Sequence, residues 1–416
     1  SLEKDTWISS EADADVFVLF PIRYEKQDMG KITTDETIRI FGRKKCTLRY
    51  AEHPYVTVDL GRLDIDVVPC YNTEPPNWKS ATDRTIHHTK FIVSNFDERL
   101  KDEARLLKAF MRGIGKYGAE IKTGGFSGFL CELLIFHFGS FAEVLKAFSE
   151  LKLPLVVDVK GYHRSKSPEE ISSRFNSEFI VVDPTDADRN VASAVADESL
   201  QVFVWASRRF LQRPSEDLFF HKVITPKIKK KVVDGLRKGL LEAVALRFPT
   251  WQTPPDVLWG QLHKIRKRFE TRLLEVGYNV IRSTDWSDER SQALILYILE
   301  SNQLPKTELR EGPHVLDYEN SETFLSKYRE DERLVSGPFI RNGRWHIVIS
   351  RSIYKAKESL LHSLKEEKFL KGMPEQSVSS IKNSKVFAGR HIPSSVRSRE
   401  GKEFILRFLH GKEWWL

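Results

Sequence analysis

Cysteine is scarce in this chain: its 416 residues include only Cys46, Cys70 and Cys131, which are far apart in sequence. The close spacing of a zinc knuckle or of a redox-active dithiol is absent, so both kinds of site are excluded. We interpret the three residues as buried thiols of a protein that works in a reducing compartment. A cytoplasmic location is therefore expected.

Long apolar runs are missing as well. No segment approaches the roughly 20 consecutive apolar residues that span a bilayer, and no charged-then-apolar leader opens the chain. Hydrophobic residues make up 40% of the sequence and charged residues 30%, which is typical of globular proteins. We therefore expect no membrane partner and no secretion.

No strong excess of charge of one sign is present. Lysine and arginine number 66 against 58 acidic residues, giving a formal net charge of +8. This mild excess is compatible with a polyanionic partner, but many proteins that bind none share it. The length predicts two to four domains.

Three aspartates give the strongest chemical signal. Asp13, Asp15 and Asp66 lie in runs whose β-branched and aromatic residues predict buried strands, where an unpaired carboxylate is costly. Alternate side chains of a strand share a face, so Asp13 and Asp15 can converge, and a neighbouring strand can add Asp66. Clustered carboxylates repel unless divalent cations lie among them, and hard oxygen ligands suit Mg²⁺. Two such ions can clamp an in-line phosphoryl displacement, so the pattern indicates nucleotidyl transfer.

Other interpretations of these residues are open at this point. An Asp-x-Asp pair alone is often an ordinary solvated strand end, and Asp64 competes with Asp66 for the third position because both lie on one strand face. Upstream, residues 1–7 (SLEKDTW) form a polar segment. It either offers the Ser1 hydroxyl and the Lys4 cation to a triphosphate or is an ordinary turn.

The periodicity changes along the chain and predicts four regions. Strand-like runs dominate residues 1–92 and helical spacing dominates 93–211, with a proline-containing linker at 212–217. Residues 218–330 predict a small α+β unit with a long amphipathic helix at 258–276, and residues 331–416 a basic, loop-rich tail. The turn GGFSG at 124–128 lacks the lysine-serine/threonine ending of a phosphate loop, so it predicts a turn into a helix at 129–138.

Basic residues cluster in the middle region. Either they form a solvated face, which is the more common case, or they hold a polyanion. They are Lys227, Lys229, Lys230 and Lys231 before the unit, and Lys264, Lys267, Arg268 and Arg272 on the long helix.

Several motifs agree in order and spacing with one known family. Besides the two-acid strand they are 49–55 (RYAEHPY), 64–71 (DIDVVPCY), 80–85 (SATDRT) with His88, 105–108 (RLLK), 117–120 (YGAE), 125–134 (GFSGFLCELL), 182–184 (VDP), 189–192 (RNVA) and 338–345 (PFIRNGRW). The chain resembles the archaeal-type (class I) CCA-adding enzymes, the tRNA nucleotidyltransferases that build the 3′ terminus of tRNA without a nucleic-acid template. The likeness spans nearly the whole chain and is strongest over residues 1–195.

This resemblance implies an α+β multidomain fold. It comprises a nucleotidyltransferase α/β head (1–92) with a polymerase-beta-like palm, a helical neck (93–211), a small α+β body (218–330) and a C-terminal tail that binds tRNA (331–416). The family's glycine before Ser1 is not in the sequence and no Met opens the chain. We therefore expect the natural protein to begin further upstream, with a helix and a strand.

The resemblance also implies residue roles. Asp13, Asp15 and Asp66 are implied as Mg²⁺ ligands, with Asp66 preferred over Asp64 and placed to assist the primer hydroxyl. The implied nucleotide contacts are Ser1, Lys4, His88, Lys108, Tyr117 and Arg189, with Arg189 reading the base edge. Lys4 stands where the family usually has arginine. A planar guanidinium that can donate two parallel hydrogen bonds is thus replaced by a compact ammonium group.

Each of the last four contacts also has a plain structural interpretation. His88 is then a surface histidine, Lys108 a solvated helix edge and Tyr117 a core aromatic, while Arg189 forms a salt bridge to Asp186 or Asp188. All four residues lie in motifs that follow the acids in the order and spacing of the family, which favours their role in the nucleotide site over these structural interpretations.

The implied activity is stepwise addition of C, C and A to the 3′ end of tRNA from CTP and ATP, with pyrophosphate release. The partners are then tRNA on its acceptor-stem side, ATP and CTP, and a second copy in a homodimer. The rival functions are a poly(A)-type or oligoadenylate-making enzyme and an inactive RNA-binding relative.

Overall fold

The computed structural model describes residues 2–8, 13–50, 54–61, 63–220 and 224–416, with the backbone but not the side chains of Asp13 and Tyr50. The chain forms two compact units, Ser1–Lys222 together with Glu413–Leu416, and Val223–Lys412. Each unit combines helices with β-sheets. The predicted α+β multidomain class is confirmed.

A four-stranded sheet opens the first unit, with the order β1-β4-β3-β2. Strands β1 and β4 are parallel and the other neighbours are antiparallel. Helix α1 packs on the sheet, where Met29 is buried with Phe20 and Tyr71. The bounds are β1 (Asp13–Phe20), α1 (Lys26–Phe41), β2 (Cys46–Tyr50), β3 (Pro54–Asp59) and β4 (Asp64–Tyr71).

Strand β1 is less buried than its composition predicts. Within the described residues it lies at the edge of the sheet, and its Val16 and Leu19 are 47% and 50% exposed. Phe20 at its end is buried. The expectation of a buried strand is therefore wrong for most of β1, because an edge strand packs against fewer neighbours.

Six α-helices follow in the described residues, and five of them pack around an aromatic core. Phe110, Phe126, Phe148 and Phe203 are fully buried and meet edge-on or tilted. Helix α4 is apolar on nearly every side, which agrees with its central position. The helices are α2 (Arg84–Asn95), α3 (Glu98–Gly113), α4 (Gly128–Phe138), α5 (Phe141–Ser149), α6 (Pro168–Phe175) and α7 (Asp197–Gln212).

The glycine-containing turn before α4 leads into the helix, as predicted. Ser127 caps α4 by accepting a hydrogen bond from the amide of Leu130 at 3.1 Å. The amide of Phe126 donates to the carbonyl of Lys116 at 2.8 Å and closes the turn.

A second sheet lies inside the region that the sequence predicts to be helical. It has the order β5-β6-β7, with β5 and β6 parallel and β6 and β7 antiparallel. Every residue of β6 is buried. The strands are β5 (Leu155–Val157), β6 (Phe179–Asp183) and β7 (Asp186–Asn190), so the expectation of helices alone was incomplete.

The second unit is built on an antiparallel sheet of order β14-β8-β10-β9. Residues of β10 alternate between two cores: Ile295 and Tyr297 belong to one, Leu294 and Leu296 to the other. Both faces of this sheet are therefore covered, which explains the continuous apolar run of β10. The first elements are α8 (Pro226–Arg237), β8 (Glu242–Pro249), α9 (Pro255–Val276), β9 (Val280–Ser287) and β10 (Gln292–Leu299).

The rest of this unit is more regular than the predicted loop-rich tail. A further sheet of order β11-β13-β12 packs against α10, and β14 pairs with β8, so strand pairing crosses the predicted boundary at residue 330. The elements are β11 (Thr307–His314), α10 (Tyr318–Arg329), β12 (Leu334–Arg341), β13 (Arg344–Ser350), α11 (Ala356–Ser363), α12 (Glu367–Leu370), α13 (Glu375–Lys382), β14 (Lys385–Ala388) and α14 (Arg399–His410).

Two further predictions from the sequence concern the burial of the cysteine thiols and segments that could span a membrane. Cys70 and Cys131 are buried, which raises the pKa of each thiol to about 12, whereas Cys46 is partly exposed. Among the described residues no single helix is long and apolar enough to cross a membrane, although α4 and α5, bent by 91°, meet that length and composition as a pair.

Candidate active site

The two strands that carry the acids lie side by side. Strands β1 and β4 run parallel, and Asp15 is the register partner of Asp66. Thr57 of β3 stands opposite Asp66 on its other side, and its hydroxyl donates to the Asp66 carboxylate at 2.6 Å. The sheet thus places Asp15 and Asp66 on adjacent strands and orients one oxygen of Asp66.

The third predicted acid, Asp13, begins β1, and its backbone pairs with that of Asp64. Its side chain lies outside the described part of the structure. Among the side chains that are described, no group of three or more His, Cys, Asp or Glu is close enough to hold a metal ion. The carboxylate oxygens of Asp15 and Asp66 are hard donors of the kind that divalent Mg²⁺ prefers, so the donor chemistry fits such an ion.

The polar segment before β1 packs against the helices. Ser1 lies outside the described residues, but Lys4 and Thr6 are both buried. Lys4 Nζ donates to Glu132 Oε2 at 2.9 Å, and the Thr6 hydroxyl donates to Glu132 Oε1 at 2.5 Å. Helix α4 therefore fixes this segment through a carboxylate that the sequence analysis did not single out.

Lys108 of α3 completes this group. Its ammonium donates to Glu132 Oε1 at 2.7 Å and to the carbonyl and the hydroxyl of Thr6, both at 2.9 Å. Burial alone would raise the pKa of Glu132, yet the charges of Lys108 and Lys4 lower it to about 2. Lys108 and Glu132 are each 1% exposed, so the interpretation of Lys108 as a solvated helix edge is wrong.

A second buried carboxylate, Asp183 of β6, gathers two further predicted residues. His88 Nε2 lies 2.8 Å from Asp183 Oδ2, and an Arg189 guanidinium nitrogen donates to the same oxygen at 2.7 Å. The amide of Thr185 donates to the other oxygen at 2.8 Å. Asp183 is fully buried, and although burial raises its pKa, the hydrogen bonds from His88 and Thr185 bring it below the ordinary value.

His88 is itself buried rather than a surface histidine. Burial lowers its pKa, and the hydrogen bond to Asp183 offsets this only in part, so the neutral imidazole is favoured. Its ring stacks on Phe129 with the ring centroids 3.9 Å apart. The Lys4 ammonium lies 5.1 Å from the centroid of the same Phe129 ring, so Phe129 links the Glu132 group to the Asp183 group.

Arg189 forms a salt bridge, but not with the predicted partners. Asp186 pairs with Arg84 at 3.2 Å and Asp188 pairs with Arg174. Arg189 instead pairs with Asp183, and its side chain remains 36% exposed. An anchored guanidinium with one accessible side can still donate hydrogen bonds to a ligand.

Tyr117 is half-buried beside the start of α4 and pairs with Phe126 in an isolated parallel bridge. A Cβ added at Gly128 would lie 3.0 Å from the Tyr117 hydroxyl and 3.6 Å from Lys108 Nζ. Gly128 therefore provides the space in which the tyrosine hydroxyl and the lysine approach α4.

Five residues of the site were not predicted as functional from the sequence: Thr6, Thr57, Phe129, Glu132 and Asp183. The motifs 125–134 and 182–184 already contain three of them, so a signal was present. An acid inside an otherwise apolar helix such as α4 is unusual and demands a partner.

Comparison with known proteins shows the class to which this chain belongs. A family model described as "tRNA nucleotidyltransferase, second domain" matches residues 102–220, and one described as "CCA-adding enzyme, C-terminal domain" matches residues 241–391. These two matches place the chain in the class of nucleotidyltransferases.

Curated relatives narrow this class. The CCA-adding enzyme of Pyrobaculum aerophilum is 36% identical over 354 residues, which are 84% of this chain and 78% of that protein. The CCA-adding enzyme of Saccharolobus shibatae is 35% identical over 359 residues, covering 86% and 81%. The chain belongs to the family of CCA-adding enzymes.

Among solved structures, the Cid1 poly(U) polymerase with Mg²⁺ and 3′-dATP aligns with 53% of this chain and 84% of its own, at 15% identity and a TM-score of 0.41. This likeness is too low to carry an argument.

Proposed function

We propose that this protein adds C, C and A stepwise to the 3′ end of tRNA, using CTP and ATP and releasing pyrophosphate. The proposal is supported above all by the similarity to curated CCA-adding enzymes over 84% of the chain. The adjacent register of Asp15 and Asp66 agrees with it, because nucleotidyl transfer needs converging carboxylates.

In this proposal Asp13, Asp15 and Asp66 hold Mg²⁺, which when bound neutralises charge on the attacking and leaving oxygens. Asp66 also faces the primer hydroxyl and accepts its proton. The 2.6 Å hydrogen bond from Thr57 holds one oxygen of the Asp66 carboxylate and so limits its rotation. The second oxygen then serves the metal and the primer hydroxyl. The protein's contribution is then an acid fixed before the substrate arrives.

The nucleotide is held by residues of the two buried groups together with Ser1 and Tyr117. Lys4 and Lys108 attract the triphosphate by their charge, and Ser1 and Tyr117 serve it through their hydroxyls, whereas His88 and Arg189 lie on the Asp183 side. Arg189 donates to acceptors on the base edge of cytosine or adenine. Because Asp183 holds one guanidinium nitrogen, fewer orientations of Arg189 compete with the productive one.

We propose the predicted regions as functional parts: the head (1–92), the helical region (93–211), and two RNA-binding regions (218–330 and 331–416). Binding to the acceptor-stem side then depends on shape and backbone charge, because the deep A-form groove hides the base edges. A homodimer and a cytoplasmic location complete the proposal.

Extension of a tRNA that lacks its CCA end tests the function. CTP alone should add two C residues, and CTP with ATP should add one final A and then stop. Asp66→Asn should lower the rate at least about 10³-fold, since its metal ligand and proton acceptor are lost. Asp35→Asn, an exposed acid on α1, is the matched control and should match the wild-type rate.

Other outcomes would assign the protein elsewhere. A long A tail would indicate a poly(A)-type or oligoadenylate-making enzyme. Retained tRNA binding without any incorporation would indicate an inactive relative.

A further inference from the structure

Glu132 is the meeting point of three chain segments that are far apart in sequence. Its two carboxylate oxygens accept hydrogen bonds from Lys4, Thr6 and Lys108 at 2.5 to 2.9 Å. Lys4 and Thr6 belong to the segment before β1, Lys108 to α3, and Glu132 itself to α4. One buried carboxylate therefore joins the segment that precedes the acid-bearing strand to two helices.

Packing alone does not account for this arrangement. The neighbours of Glu132 on α4, such as Leu130, Leu133 and Leu134, are fully buried and apolar, and an apolar residue would fill the same space. Two ammonium groups and one carboxylate in the interior carry a desolvation cost that an apolar core avoids. A buried cluster of this kind suggests that the positions of the charges matter for function.

The contacts restrict the two ammonium groups to different degrees. All three donors of Lys108 meet protein oxygens, on Glu132 and on Thr6, so its position is fixed. The Lys4 side chain is 10% exposed against 2% for Lys108, and it spans Glu132 and the Phe129 ring. Both groups depend on Glu132 for their place.

We propose that Glu132 is a positioning residue of the nucleotide site, which holds the ammonium groups of Lys4 and Lys108 and the segment 2–8 in the arrangement that receives a nucleoside triphosphate. This inference rests on the proposed function, in which both lysines attract the triphosphate, Lys108 by its charge because its three donors are already engaged. Glu132 does not touch the nucleotide. Without it the ammonium groups adopt several rotamers, and ordering them again weakens triphosphate binding.

The test is CTP binding to the full chain with Mg²⁺ and without tRNA, measured by titration calorimetry. Glu132→Gln keeps the side-chain shape and removes the charge. We expect the dissociation constant of CTP and the KM for CTP to rise at least tenfold, with the KM for tRNA within twofold of the wild type. Glu143→Gln, which loses an exposed partner of Lys146 on α5, is the matched control and should change neither value.

Two results would overturn the proposal. Tighter CTP binding by Glu132→Gln would mean that Glu132 acts only as a counter-charge, since its removal leaves more positive charge for the triphosphate. Unchanged CTP affinity with a lower unfolding temperature would mean that Glu132 only stabilises the fold.

A second variant keeps the test decisive if Glu132→Gln does not fold. Thr6→Val removes the hydroxyl that contacts both Glu132 and Lys108 but keeps all three charges. We expect CTP affinity to fall two- to fivefold, and an unchanged affinity would reject the proposal. If the wild-type protein binds CTP but does not extend tRNA, the proposed function is rejected. The role of Glu132 in CTP binding is then judged separately from the affinities of the variants.

Discussion

Glu132 and Asp183 show how single buried acids organise this site. Neither touches the other, yet each gathers side chains from separate elements, and Phe129 lies between the two groups. Each acid is stable as an anion only because its donors replace the water it loses on burial. The surrounding cations and hydroxyls are therefore as necessary to the acids as the acids are to them.

The pH dependence of stability should report on Glu132. Its pKa is about 2 in the folded protein against an ordinary 4.5, a difference that corresponds to about 3 kcal/mol. Because the folded pKa is lowered, this stability is fully present above pH 4.5 and is lost as the pH falls towards 2. Urea unfolding followed by tryptophan fluorescence should therefore show a difference between wild type and Glu132→Gln that is largest near pH 7.

This difference should shrink progressively below pH 4.5, because the carboxylate then takes up a proton in the unfolded chain but stays ionised in the folded protein until the pH approaches 2. A difference independent of pH between 7 and 3 would contradict an ionised Glu132. Glu143→Gln, which removes one partner of the exposed Lys146–Glu143 ion pair, is the control. Its free energy of unfolding should follow that of the wild type at every pH.

Asp15 and Asp66 could be predicted on strands because strand periodicity is a local property, and the family resemblance, not the periodicity, supported placing these strands side by side. The roles of Glu132 and Asp183 could not be predicted in the same way. The partners of Glu132 lie 128, 126 and 24 residues away, and His88 lies 95 residues from Asp183. Such pairings depend on tertiary packing, which no local pattern encodes.

At the level of whole elements, prediction succeeded where burial was strong. The apolar run at 292–299 predicts a strand with the bounds of β10, and α9 begins three residues before the predicted helix at 258–276, because each has a long apolar pattern. Strand β11 (TELREGPH) has no such pattern and was missed. Strand β6 has only four consecutive apolar residues before Asp183, and periodicity alone cannot distinguish so short a run from a helical segment.

Helix α3 ends against a backbone that leaves no room for a side chain. A Cβ at Gly113 would lie 2.0 Å from the carbonyl oxygen of Leu218 and 2.5 Å from Cα of Phe219. Gly113→Ala should therefore force the chain apart and destabilise the protein by about 1–3 kcal/mol or more. Differential scanning calorimetry should show a lower unfolding temperature.

Gly235 in α8 is the matched control for this substitution. There an added Cβ meets only Leu241 Cβ, at an ordinary 3.6 Å, and alanine is the better helix former by about 1 kcal/mol. Gly235→Ala should leave the unfolding temperature unchanged or raise it. Equal effects of the two substitutions would show that the close approach of Leu218 is not restrictive.

The charge of the whole molecule bears on its proposed RNA partner. The formal charge, however, overstates the number of basic side chains that can bind phosphate. Of the four cations predicted on α9, Arg268 donates to the backbone of Phe369 and Lys371, and Arg272 pairs with Glu366. Those two arginines fasten α9 to later parts of its own unit. Lys264 and Lys267 are exposed and remain the better candidates for binding phosphate.

Salt dependence of tRNA binding separates these two groups of cations. Each lysine that binds a phosphate releases counterions, so removing one such lysine lowers the slope of log affinity against log salt by about one. The double variant Lys264→Gln/Lys267→Gln should therefore reduce the slope by about two with little change in unfolding temperature.

Arg272→Gln is the control and removes one charge of the same helix. The Arg272 guanidinium is already engaged by Glu366. This variant should therefore lower the unfolding temperature and leave the slope nearly unchanged. Filter binding at several salt concentrations measures the slopes, and equal slopes for wild type and the double lysine variant would remove α9 from the RNA-binding surface.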